Sequence, residues 1–180
     1  MPVDPPPLDP PAIFAVLDAH RVEYVVVGGY AAQLHGSSRA TTDIDLTPDR
    51  STTNLKRLAH ALRDLDAGIR VDDLEQGLPF DTSAEALAGM KTLNLRTPHG
   101  DIDLTFEPDG TGGYRDLIQS AENHAIGAVH VQVAALADVI RSKTAAGRPK
   151  DLRALPELNQ LNQQRPPRPD HGPDSSETRT

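Results

Sequence analysis

The chain has 180 residues, 37% of them hydrophobic, with 16 prolines and a formal net charge of −8. This length predicts one domain with tails, and the acidity excludes a protein that coats nucleic acid through a general basic surface. Cysteine is absent, which excludes disulfides and thiolate metal sites and makes a cytoplasmic location the expectation. The start MPVDPPPLDPP lacks the basic and apolar parts of a secretion signal. No run approaches the roughly 18 apolar residues of a membrane helix, so no membrane association is expected. Aromatics are 3% and Trp is missing, so Val, Leu, Ile and Ala must build the core.

In chain order, residues 1–11 are mostly proline and aspartate and read as a disordered lead-in. Helical spacing of apolar residues follows from Pro11 to Arg21. Glu23 to Val27 is a short β-branched run, ended by Gly28-Gly29, and Tyr30 to His35 reads as a helix closed by Gly36. Strand, glycine turn and helix start together present free N–H groups to an anion. Ser37 to Thr42 is turn-like, and Asp43 to Thr47 is a strand stopped by Pro48. Ser51 is the expected N-cap of an amphipathic helix ending near Leu65. Ile69 to Val71 reads as a short strand, while 72–89 has no clear period beyond one helical turn at Ser83 to Ala88. Lys91–Thr97 and Asp101–Phe106 alternate around Pro98-His99-Gly100, a hairpin pattern. A short helix over Gly113 to Ser120 and strands at Ala125-Ile126 and Val129–Val133 come next. Two helices close the domain, Ala134 to Ala146 and a last one N-capped by Asp151 and running through Leu161. Residues 162–180 read as a disordered tail, which leaves a folded domain over 12–161.

The chemistry lies in the carboxylates. A strand puts side chains i and i+2 on one face, so Asp43 and Asp45 project together while Ile44 and Leu46 anchor the opposite face. Burying two unpaired carboxylates is costly, and a divalent cation relieves the cost. Asp101 and Asp103 repeat the pattern. Should the two strands be neighbours, three or four carboxylates gather as a ligand set for two hard cations, a clamp for nucleotidyl transfer. Asp103, between Ile102 and Leu104, matches Asp45 between Ile44 and Leu46 and is preferred to Asp101 as the third ligand. None of the seven histidines shows metal-ligand spacing; His35 and His99 read as surface residues. Between Ala134 and Leu155, Arg141, Lys143, Arg148, Lys150 and Arg153 outnumber Asp138 and Asp151.

The strand ending in Gly28-Gly29 and the later Asp43-Ile44-Asp45 resemble the DNA polymerase β-like nucleotidyltransferase superfamily. The longer run from Val26-Val27-Gly28-Gly29-Tyr30-Ala31-Ala32 through His35-Gly36 to Arg39-Ala40-Thr41-Thr42-Asp43-Ile44-Asp45-Leu46 resembles the MenT/AbiEii type of nucleotidyltransferase toxin. Arg141-Ser142-Lys143 and Arg148-Pro149-Lys150-Asp151-Leu152 fit the same pattern, so the resemblance spans about residues 12–155. It implies an α/β (α+β) fold with a mixed sheet flanked by helices and a short C-terminal helical part. It also implies Mg2+-dependent transfer from an NTP to the tRNA 3′ end by the toxin of a toxin–antitoxin pair, with a cognate antitoxin as partner. Under that resemblance Gly28 and Gly29 hold the triphosphate, and Asp43 and Asp45 bind both metals. Asp103 holds the catalytic metal and helps deprotonate the acceptor, Lys143 neutralises the triphosphate, Asp151 orients Lys143, and Arg39 assists near the phosphates. Gly29 stands where many relatives carry Ser, so that hydroxyl is missing. Three alternatives stay open: a protein acceptor, a small-molecule acceptor, and an inactive adaptor of the same fold. A monomer is the expected state. Strand period places Thr41 on the face of Asp43 and Asp45, where a phosphate would expel the triphosphate; Thr41 is therefore a candidate regulatory phosphorylation site.

Overall fold

A computed structural model describes residues 4–167. The two residues just before the first helix, Leu8 and Asp9, are tied into the fold. Asp9 accepts from the Ala12 N–H and caps helix α1, Pro10–Ala19, with proline in its first turn. The Asp9 N–H donates to the His99 carbonyl, and Leu8 packs so closely on Gly100 that a Cβ there would sit 2.8 Å from its Cδ1. The lead-in expected over 1–11 thus ends earlier than its composition implied, because Leu8 and Asp9 have partners on a distant turn. Residues 1–3 and 168–180, which hold the ends of the expected disordered segments, lie outside the described residues.

Seven strands form one mixed sheet. They are β1 Tyr24–Val27, β2 Asp43–Pro48, β3 Gly68–Ile69, β4 Thr92–Thr97, β5 Gly100–Thr105, β6 Glu122–Ile126 and β7 Val129–Val133, in the order β3-β4-β5-β2-β1-β7-β6. β1 is antiparallel to β2 and parallel to β7. The decisive neighbours are β2 and β5, which run parallel with Asp43 beside Asp101 and Asp45 beside Asp103. Ile44, Leu46, Ile102 and Leu104 are all at most 1% exposed. Their burial pins the register, since a one-residue slip would bring the aspartates into the core.

The remaining helices are α2 Gly28–Leu34, α3 Thr52–Asp64, α4 Ala84–Ala88, α5 Tyr114–Leu117, α6 Leu136–Ala146 and α7 Pro149–Gln163. Packing joins α1 to α3 and α3 to α4, while α2 meets α6 and α6 meets α7. Ser51 caps α3 by accepting from the Asn54 N–H, as its position predicts. Asn54 is itself fully buried and donates to the carbonyls of Glu23 and Asp49, tying α3 to the end of the antiparallel β1–β2 pair where β1 begins and β2 stops. Phe14 stacks on Tyr24 with ring centroids 6.0 Å apart, and Arg50 covers the Phe106 ring at 4.2 Å. The few aromatics are spent where the helices meet the sheet.

Segment 72–89 has no period because much of it is held by backbone. Leu78 bridges Ile69 through two backbone hydrogen bonds of 2.8 Å. Gly68 and Gly77 cross so closely that a Cβ on either would lie within 2.5 Å of the other's backbone. Two corrections concern the end of the domain. β6 begins at Glu122, earlier than the strand signal at Ala125. The last helix starts at Pro149 with Arg148 as its N-cap, so Asp151 is a residue of its first turn and not its cap. That helix extends past Leu161 to Gln163, and Arg165 beyond it pairs with Glu122 at 2.8 Å, so the expected tail begins later than 162. No helix among the described residues is long and apolar enough to cross a membrane.

Candidate active site

The site grows from the meeting of β1, α2 and β2. The helix starts directly at Gly28, whose φ of +65° suits glycine. A Cβ on Gly28 would fall 2.2 Å from Asp45 Oδ2, so the Asp45 carboxylate lies against bare backbone. The Gly29 amide beside this carboxylate favours its charged form, as the open amides of a helix start do for an anion. Burial, followed by the nearby Asp43 and Asp103 charges, pushes the Asp45 carboxyl up to about 7, with Gly29 and Lys150 opposing the rise. A carboxylate so destabilised as an anion is primed for a cation.

Asp103 faces the same cluster from β5. Its carboxyl is also raised, mainly by burial, with Arg70 pulling the other way. Arg70 Nη2 lies 3.0 Å from Asp103 Oδ1 but out of line, so that buried oxygen has an ion partner and no hydrogen bond. Asp101 belongs to a different arrangement. It is 6% exposed, takes Arg96 Nε at 3.0 Å and Nη2 at 3.3 Å, and also faces Arg70 at 3.4 Å. Asp101 is thus committed to guanidinium, whereas Asp43, Asp45 and Asp103 leave oxygens over. These oxygens are hard donors without sulfur or imidazole among them, a set that fits Mg2+. The buried, undonated Asp103 Oδ1 and the raised Asp45 mark where its charge is wanted.

Across Gly28 opens a cleft of about 390 Å³, mouth included, lined by Val27, Gly28, Ser142, Lys143, Arg148 and Asp151 among others. Asp151 is fully buried and binds two cations, Arg148 Nε at 2.6 Å and Lys143 Nζ at 3.3 Å. Burial works against its carboxylate, but these partners outweigh it and hold the pKa below the usual range. Lys143 is thereby fixed from α6 by a residue of α7, in the lining of the cleft that also holds Gly28.

No protein-family model matches the chain, and no curated protein matches it in sequence. Among solved structures it is similar to a candidate nucleotidyltransferase, TM1012, from Thermotoga maritima. That likeness has a TM-score of 0.53 at 14% identity and covers 85% of this chain and 90% of that one. This is a nucleotidyltransferase fold. A second similar structure is the antibiotic-resistance factor ANT(2'')-Ia, with TM-score 0.48, 16% identity, and 84% and 85% of the two chains covered.

Within the nucleotidyltransferase fold, the remaining predicted residues take distinct places. Thr41 is half-buried beside the aspartates, its Oγ1 donating to Asp43 Oδ1 at 3.0 Å. The same hydroxyl would lie 3.0 Å from a Cβ on Gly29. Arg39 is exposed and turned toward α7, with Nη2 donating to the Arg153 carbonyl at 2.6 Å; its side chain is occupied by protein and not by the aspartates. His35 is not a surface residue, since it is 7% exposed and donates from Nε2 to the Ala134 carbonyl. Lys150 and Arg153 are exposed on α7. Sequence reasoning assigned no role to Arg70, Arg96 or Arg148. Arg148 offered a signal, standing three residues before Asp151 at a helix start. Arg70 offered none, because it reaches Asp103 from two strands away in the sheet.

Proposed function

We propose that this chain is a metal-dependent nucleotidyltransferase that moves a nucleotide from an NTP to an acceptor hydroxyl with release of pyrophosphate. The observation that carries this reading is the gathering of Asp43, Asp45 and Asp103 beside the Gly28-Gly29 helix start, with Lys143 lining the cleft that opens at Gly28. Asp43, Asp45 and Asp103 would hold Mg2+, which supplies charge neutralisation at the phosphates and activation of the acceptor oxygen. The chain's own residues do the rest. The amides at Gly28 and Gly29 face the triphosphate once Asp45 turns to its cation, and Lys143, oriented by Asp151, neutralises the departing pyrophosphate. The acceptor oxygen bonds to the α-phosphorus, the bond from that phosphorus to pyrophosphate breaks, and Asp103 helps take the acceptor's proton. Arg39 joins the phosphates only by leaving the Arg153 carbonyl.

The resemblance carried by residues 26–46 and 141–152 supports a finer reading: a toxin of a toxin–antitoxin system acting as a cytoplasmic monomer on the tRNA 3′ end. The exposed Lys150 and Arg153 favour an RNA acceptor, while the net charge of −8 favours a protein or small-molecule acceptor. Incubating the protein with Mg2+ and each labelled NTP, with total RNA or with protein extract, separates them. Label in tRNA that disappears with Asp43→Ala is the expected result; label in protein selects the other acceptor, and no label anywhere leaves an adaptor. We further propose that phosphorylation of Thr41 turns the enzyme off, because a dianion beside Asp43 and Gly29 repels a triphosphate. Intact-mass analysis of protein co-expressed with the product of its neighbouring gene should find one phosphate on Thr41; an unmodified Thr41 there rejects this switch.

A further inference from the structure

Away from the aspartate cluster, three metal-ligand atoms converge at the end of α2. His35, Glu122 and His124 each offer one ligand atom, and the three atoms all lie within 4.8 Å of one another. Glu122 Oε2 is 3.9 Å from His35 Nδ1 and 3.8 Å from His124 Nε2. Four-coordinate Zn2+ with ligands near 2.0–2.1 Å sets them about 3.4 Å apart, so these side chains need shifts of no more than roughly 1.5 Å.

The protonation of His35 is decided by its partners. The Ala134 carbonyl only accepts, so Nε2, 2.7 Å away, carries the hydrogen. A guanidinium only donates, so Nδ1, 2.6 Å from Arg165 Nη2, presents its lone pair. This is the state a ligating imidazole requires, with the other nitrogen donating to a backbone carbonyl. His35 has a fully buried side chain, whereas those of Glu122 and His124 are 29% and 24% exposed, which leaves an open side. A cation already sits in this nest. Arg165 donates to His35 through Nη2 and to Glu122 Oε1 through Nη1 at 2.8 Å. It stands just past α7, which ends at Gln163, and its side chain is 33% exposed, so it belongs to no regular element and can swing toward solvent.

We propose that His35, Glu122 and His124 form a second metal site, for Zn2+ or a similar borderline transition cation, which Arg165 fills until the metal displaces it. Two imidazoles with one carboxylate suit such ions better than Mg2+. The bound ion clips β6, the edge strand of the sheet, to the end of α2, whose first turn carries Gly28-Gly29. The same exchange frees the Arg165 side chain from His35 and Glu122. Its residues are distinct from those of the aspartate cluster, and it stands whether or not the chain transfers nucleotides.

Calorimetric titration with Zn2+ tests this on the full chain carrying Asp43→Asn, Asp45→Asn and Asp103→Asn, which removes the other cation site. One Zn2+ per chain is expected, together with a rise in melting temperature and visible absorption when Co2+ replaces Zn2+. His124→Ala, on a partly exposed strand position, should weaken binding about 100-fold by removing one ligand. Arg165→Ala should tighten it about tenfold by removing the competing cation. The proposal is overturned if the parent takes up no Zn2+, if His124→Ala leaves the affinity unchanged, or if Arg165→Ala weakens it.

Discussion

Replacing Asp45 by Asn will raise the melting temperature of the metal-free protein at pH 8 by several degrees while lowering nucleotide transfer at least about a thousandfold. The stability half follows from linkage. Burial and the neighbouring carboxylates raise the Asp45 carboxyl from 3.8 to about 7, so between those values the folded chain keeps a proton that the unfolded chain releases. Stability from this group is therefore complete below about pH 4 and is lost as pH rises to 7. Above that the fold carries a buried anion costing a few kcal/mol, and about 2–4 °C per kcal/mol is expected for a chain of this size. Asn keeps the shape but has no charge to bury. The activity half follows because an amide is a poor ligand for Mg2+, and a thousandfold corresponds to about 4 kcal/mol of transition-state stabilisation. Calorimetry from pH 5 to pH 8 checks both signs. The gap between variant and parent should shrink toward pH 5, and Mg2+ should stabilise the parent at pH 8 but not the variant. A variant no more stable than its parent at pH 8 would refute the account of Asp45.

Gly28→Ala will lower transfer about a hundredfold or more with a modest effect on stability. Two causes act at once. An L-residue held at φ +65° costs roughly 1–2 kcal/mol, and the new methyl would stand 2.2 Å from Asp45 Oδ2 and 2.6 Å from its Cγ. The flexible partner moves, so Asp45 leaves its place against α2 and the carboxylate cluster loses a member. Its release from burial partly offsets the backbone strain at pH 8, which keeps the net loss of stability below about 3 kcal/mol. Gly29→Ala is the control. Its Cβ would meet only Thr41, at 3.0 Å from Oγ1 and 3.3 Å from Cβ, and a small turn of the hydroxyl relieves it, so transfer should fall less than tenfold. Steady-state kinetics with a fixed NTP rank the two variants; equal activities would mean that Asp45 is not held by the bare Cα of Gly28.

Both predictions stand on residues that were visible in the sequence, and for a simple reason. Ile44-Asp45-Leu46 and Ile102-Asp103-Leu104 alternate apolar and acidic, a period that only a half-buried strand satisfies. The shared face of Asp43 and Asp45 was legible before any strand pairing was known. Gly28-Gly29 was legible because a β-branched run that stops at two glycines marks a strand giving way to a turn. Lys143 and Asp151 were legible only through resemblance. Nothing in their eight-residue spacing, across a helix break at Gly147, says that the carboxylate is buried under the ammonium.

Composition and periodicity alone therefore determined an α/β chain with a carboxylate-bearing strand beside a glycine-started helix, because burial pattern is a local property of each segment. Pairings between distant segments were decided by the tertiary structure. The parallel register of β2 on β5 set Asp103 beside Asp45, and Arg96 on β4 took Asp101 out of the cluster. Arg70 came to Asp103 from beyond β4, and Arg165 met His35 and Glu122 from across the chain. Charged side chains find partners by geometry in three dimensions, and sequence distance carries no trace of which carboxylate is neutralised and which is left to hold a metal.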